Sequence, residues 1–154
     1  MQSKAALHFQ HPELENPALT HINRLPPRSN LIPAHEGGIY YKNKEASHLL
    51  QSLCGSYKFK YCECDCIQEF FIMDYDDGNW DNIDVPYMWQ YRGYGNCCYH
   101  NTNYPIPFNP PYVSCPNPVG YYRCTFSACP SERTILHFGG VDNAFYVYLN
   151  GEFV

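Results

Sequence analysis

The dipeptide Asn150-Gly151 limits what this chain can fold into more than any other pair of residues. It follows a run in which Phe145, Val147 and Leu149 alternate with Tyr146 and Tyr148. Such alternation sends successive side chains to opposite faces of a strand. A two-residue type I′ turn needs positive φ at both central positions, which asparagine and glycine accept, so "AFYVYLNGEFV" predicts a β-hairpin. The same period recurs upstream. In "GSYKFKY", Tyr57, Phe59 and Tyr61 alternate with Lys58 and Lys60, and in "GYYRCTFS", Tyr122, Cys124 and Phe126 alternate with Arg123 and Thr125. "TILHF" and "IDVP" read as further short strands. Strands of this length, separated by Gly, Pro, Asn and Asp clusters, predict an all-β chain built as an antiparallel jelly roll or β-sandwich.

Residues 1–45 differ in kind. Pro12, Pro17, Pro26, Pro27, Pro33 and Gly37-Gly38 forbid a long helix, so this stretch reads as an extended N-terminal arm. The β-sandwich domain is then expected over 46–154. Leu49, Leu50 and Leu53 fall at helical spacing and predict a helix of about two turns over 46–53. At the other end, only Glu152, Phe153 and Val154 follow the hairpin turn. A sandwich ending there would keep an unpaired edge, so the sequence is expected to be incomplete at its C-terminus.

Composition removes whole classes of function. With 154 residues, 45% hydrophobic and 17% aromatic, the chain has enough apolar surface for one folded, soluble domain. No apolar run is long enough to cross a membrane. A net charge of −5 offers no basic face for phosphates, which argues against nucleic acid as a partner. The first twenty residues lack the apolar core and cleavage site of a signal peptide, so a cytoplasmic location is expected. The nine cysteines are an odd number without a secretory signal, and free thiols are the expected state. A zinc site wants two spaced pairs, whereas only Cys62 and Cys66 have suitable spacing.

Motifs for catalysis are incomplete. In "MDYDDGNWDNID" a calcium loop starting at Asp74 would place Gly78 at position five rather than six, so the run is expected to be a solvated turn. "GGVDNAF" joins strands without opening a helix and is no phosphate loop. The segment "YHNTNYPIPFNPPYV", residues 99–113, is more suggestive. Asn101 and Asn103 offer amides for hydroxyl groups, and Tyr99, Tyr104 and Trp89 offer faces for the apolar side of a sugar ring. The same residues would equally serve as core tyrosines and turn asparagines, and composition does not separate the two readings.

Ordered segments carry a resemblance over most of the chain. "ENPALTHINRLPPRS" (15–29), "WDNIDVPYMWQYRGYG" (80–95), "YHNTNYPIPFNPPYV", "NPVGYYRCTF" and "ILHFGGVDNAFYVYLNGEFV" resemble, in that order, the start of the lac-type β-galactosidases of glycoside hydrolase family 2. Met88 and Tyr87 stand where that family usually has asparagine and serine before its Trp-Gln pair, and Cys54 replaces an asparagine before Gly55. The resemblance implies a galactose-binding-domain-like jelly roll at the front of a large enzyme. In that family a later TIM-type barrel carries two glutamates that hydrolyse terminal β-D-galactosides with retention. That barrel lies outside this sequence, so no catalytic residue is expected in it and the stretch alone is expected to be inactive.

By the same resemblance, the asparagine of Tyr-x-Asn-x-x-Tyr-Pro contacts the galactosyl group. It corresponds to Asn101, with Tyr99 beside it. Glu13 and Asn16 match arm positions near a structural magnesium, and the family's sodium site would draw on a residue beyond Val154. The implied partners are a β-galactoside, the rest of an enzyme chain, and further copies in a tetramer. Two rivals stand beside this reading. A stand-alone lectin-like sandwich would bind galactose by itself, and an arm that complements a truncated partner subunit would restore that subunit's hydrolysis.

Overall fold

A computed structural model describes residues 12–29, 32–33, 47–65, 67, 69–97, 109–113, 116–128, 131 and 133–154. Its regular elements are short strands and 3-10 turns: a turn at Pro12–Glu15, β1 (Gly55–Cys62), β2 (Asp81–Val85), a turn at Trp89–Arg92, β3 (Val119–Arg123), β4 (Tyr148–Leu149) and β5 (Glu152–Phe153). No α-helix occurs among the described residues. All strand pairings are antiparallel: β1 lies between β2 and β3, and β4 pairs with β5. The all-β expectation is met.

The hairpin forms where the alternating run required it. Tyr148 faces Phe153 and Leu149 faces Glu152 across a two-residue loop, with φ of 51° at Asn150 and 89° at Gly151. "GSYKFKY" is the centre strand. Register sets Tyr57 opposite Ile83, Phe59 opposite Asp81 and Tyr122, and Tyr61 opposite Gly120, so these residues share one face of the sheet. Phe59 is fully buried there and Ile83 nearly so.

The chain following β2 covers that face. The rings of Tyr94 and Tyr122 lie 4.8 Å from Phe59, and Trp89 lies 6.1 Å from Phe59 and 6.0 Å from Tyr61. Gly120 is what permits the approach. A Cβ at that position would collide with the Trp89 ring and stand 2.9 Å from Phe59 Cε2.

Alternation predicted that the opposite face, with Lys58, Lys60 and Arg123, would meet water, but the chain covers it as well. Tyr121 is buried there beneath Phe70, 4.9 Å away, and near Trp80 at 6.3 Å. Phe70 and Phe71 also reach the hairpin, where Phe71 stacks on Tyr148 at 4.5 Å and an interplanar angle of 11°. Arg123 makes this cover possible. Its Nε donates to Asp77 Oδ2 at 2.8 Å, Nη1 donates to the carbonyls of Phe70 and Ile72, and Nη2 to that of Met73. Pattern alone does not show an arginine satisfying a loop's carbonyls, because its stem packs like an apolar residue while its head supplies donors.

Three local expectations need correction. Over residues 47–53 there is a turn instead of a helix, with Leu50 N–H donating to Ser47 O at 3.1 Å. Ser47 is buried, and its hydroxyl donates to Pro33 O at 2.6 Å and accepts from Leu49 N–H at 3.4 Å. Such local side-chain bonds compete with helix formation. "TILHF" pairs with no strand among the described residues, and Ile135, Leu136 and Phe138 are exposed. Cys54, Cys62, Cys97 and Cys124 are free as expected, but Cys64 is disulfide-bonded. β1 ends at Cys62, so Cys64 leaves the alternating strand face on which a free, half-exposed thiol was expected.

Candidate sugar site and its supports

Asn101 and Tyr99, the residues most directly implicated in sugar contact, fall within 98–108 and lie outside the described residues. The exit of their segment is described. Asn109–Tyr112 closes a turn through Tyr112 N–H to Asn109 O at 2.9 Å, and Val113 N–H donates to Glu15 Oε1 at 3.0 Å. Beyond it, Asn117 N–H donates to Glu63 O at 3.0 Å before β3 begins. Trp89, the third aromatic considered for stacking on sugar, is instead engaged by Phe59, Tyr61 and Gly120.

The acidic pair of the Pro12–Glu15 turn clips the arm to the body of the domain. Glu15 holds Val113, and Glu13 accepts a hydrogen bond from the Tyr146 hydroxyl at the approach to β4. Burial, then the charge and hydrogen bond of Glu13, push the Tyr146 phenol well above its ordinary value. Burial also raises Tyr148, with smaller contributions from Glu13 and Asp65. Asp65 itself accepts from the Tyr121 hydroxyl. A string of tyrosines and carboxylates thus joins arm, sheet and hairpin. Sequence reasoning singled out Glu13 for another task and passed over Glu15, because a carboxylate bonded to a distant backbone amide has no local pattern.

These phenols carry a pH signature. A tyrosine raised in the folded state contributes stability that is fully present below its unfolded value, about 10, and is lost as pH rises towards the raised value. Unfolding midpoints are expected to fall above about pH 10, and Tyr146→Phe should flatten that decline. An equal alkaline loss in the variant would assign the effect to other groups.

Glu13 and Asn16 do not by themselves fit a magnesium site. Magnesium asks for near-octahedral oxygen ligation, whereas Glu13 is engaged by Tyr146 and Asn16 Oδ1 accepts from Ala18 N–H at 3.1 Å. No group of three or more His, Cys, Asp or Glu side chains converges among the described residues.

A shallow cleft of about 180 Å³ opens where β1 starts and β3 has ended, between Gln51–Tyr57 and Cys124–Phe126. No carboxylate lines it. The Tyr57 hydroxyl donates to Leu53 O at 2.7 Å, and burial, followed by a hydrogen bond with Cys124, raises its phenol.

Comparison with known proteins agrees with this architecture. The family model for glycosyl hydrolases family 2, sugar binding domain, matches residues 50–154. The beta-galactosidase of Staphylococcus xylosus is 35% identical over 145 residues, and that of Pectobacterium atrosepticum is 37% identical over 153 residues; each match covers 91% of this chain and 14% of the relative. The beta-galactosidase of Clostridium acetobutylicum is 36% identical over 157 residues, covering 92% of this chain and 17% of the relative. The chain therefore spans about one seventh of the length of the first two relatives. A sheet with aromatic cover on both faces, an arm clipped to it, and a family match over 50–154 converge on one assignment: this chain belongs to the glycosyl hydrolases family 2 and carries that family's sugar binding domain.

Proposed function

We propose that this chain serves as the sugar-binding part of a larger β-galactosidase, which hydrolyses terminal β-D-galactosides through a retaining two-carboxylate mechanism. The observation that carries the reading is similarity to beta-galactosidases over 91% of the chain and only 14% of their length. A sugar-binding domain and the catalytic carboxylates divide the work in this reading. The domain holds the galactosyl group through Asn101, with Tyr99 alongside, and the carboxylates come from elsewhere in the enzyme. Magnesium and sodium belong to the whole enzyme, to which Glu13 and Asn16 would add at most two oxygen ligands. A cytoplasmic, tetrameric enzyme completes the proposal.

A chimera tests it. This chain is exchanged for the matching stretch of the Staphylococcus xylosus beta-galactosidase, and hydrolysis of a chromogenic β-galactoside is measured. The expected result is activity in the chimera and none in the chain alone, with Asn101→Ala raising KM about tenfold, the loss of a substrate hydrogen bond or two. A folded but inactive chimera, together with galactose binding by the isolated chain, would favour a lectin-like module instead.

A further inference from the structure

We infer that Glu15 is a positioning residue for the sugar-contacting segment, an inference that rests on the functional reading above. The segment 99–113 carries the candidate sugar residues, and its last amide, Val113 N–H, donates to Glu15 Oε1 at 3.0 Å in a partly buried setting. The bond joins residues 98 positions apart in sequence, so no local turn would supply it. An ionised carboxylate makes a stronger acceptor for a backbone amide than a neutral oxygen does. The neighbouring contacts show why this one decides the position of the exit. Upstream, the turn at Asn109–Tyr112 is closed only on itself by Tyr112 N–H to Asn109 O. Downstream, the next tie to the sheet comes at Asn117, through Glu63 O. Between those points, Glu15 anchors the chain to another element.

Glu15 is itself held in place. It ends the Pro12–Glu15 turn, whose other acid, Glu13, is engaged by Tyr146, while Asn16 N–H donates to Glu13 O at 3.1 Å and Asn16 Oδ1 caps Ala18. The acceptor therefore sits on a turn anchored to the hairpin, and the segment's exit is registered against the hairpin through the arm. Glu15 need not touch sugar. It sets where the segment ends, and small displacements of a binding segment are costly because productive geometry tolerates only a fraction of an ångström.

Two measurements test this together. In the 154-residue chain, hydrogen exchange of the Val113 amide is followed by NMR for the parent, Glu15→Ala and Glu15→Gln. Alanine is expected to speed exchange about tenfold, and glutamine, which retains an acceptor oxygen, to restore most of the protection. In the chimera, Glu15→Ala is expected to raise KM about fivefold with kcat nearly unchanged, and Glu15→Gln to recover most of that loss. Unchanged Val113 exchange in Glu15→Ala overturns the inference. So does an unchanged KM in Glu15→Ala when Asn101→Ala raises it, and in that case the sugar-binding reading survives. If Asn101→Ala also leaves KM unchanged, the sugar-binding reading fails and the inference with it. A fall in kcat and thermal stability that glutamine does not rescue would make Glu15 merely structural.

Discussion

Replacing Arg123 by alanine is expected to lower the unfolding free energy by about 3 kcal/mol, the cost of leaving a partly buried charge and several carbonyls without their donor. The guanidinium and the Asp77 carboxylate are only 19% and 27% exposed, so water repairs little of the loss. The carbonyls of Phe70, Ile72 and Met73 share the same head group. Arg123→Lys keeps the charge but loses the planar fork, and should recover less than half the difference. Urea denaturation followed by tryptophan fluorescence reads both variants. A loss below about 1 kcal/mol for alanine, the range of an exposed ion pair, would mean that the 70–77 loop is held by its aromatic contacts alone. Asp77→Asn separates the contributions, since it removes one bond and leaves the carbonyl contacts intact.

Phe59→Ala should be costlier still, about 4 kcal/mol, because it removes a fully buried ring and leaves a cavity that its neighbours fill poorly. Those neighbours are themselves aromatic: Trp89, Tyr94 and Tyr122 surround the ring. Tyr94 is further restrained by donating its hydroxyl to Asp81 Oδ2 at 2.7 Å, which limits its collapse into the gap. Phe59→Leu keeps much of the volume and should cost about 1.5 kcal/mol. With total stabilities of about 5–15 kcal/mol usual for domains, the alanine variant is expected to be largely unfolded in moderate urea. Equal losses for alanine and leucine would indicate that ring geometry, rather than buried volume, is what the site requires.

Strands were legible where alternation and a turn agreed. Asn150-Gly151 set the hairpin and its register together, and Tyr57, Phe59 and Tyr61 marked the face that Phe59 anchors, since both follow from local geometry. "TILHF" shows the limit: an apolar run states what it would bury and not which strand it will find. Ser47 shows another, because leucines at helical spacing carry no information about a hydroxyl aimed at Pro33. Arg123 was read as the polar side of a strand, whereas its partners lie some fifty residues back along the chain. The candidate site was less legible. Trp89 was grouped with sugar-facing aromatics, but Gly120 shows from the opposite strand that its ring is part of the packing. Glu15 had no signal at all, because its partner is a backbone amide near the other end of the sequence.

The central place of β1 has a consequence for the order in which this chain assembles. β2 reaches β1 across a shorter intervening loop than β3 does, so the entropy of closing the loop favours β1–β2 pairing first. Arg123 enters the structure only when β3 docks. The loop it gathers, and with it the burial of Tyr121, then belongs to the late part of the folding reaction. Interactions made after the rate-limiting step act on escape from the native state more than on its formation. Arg123 is therefore a brake on unfolding: its loss should shorten the lifetime of the folded chain far more than it delays folding.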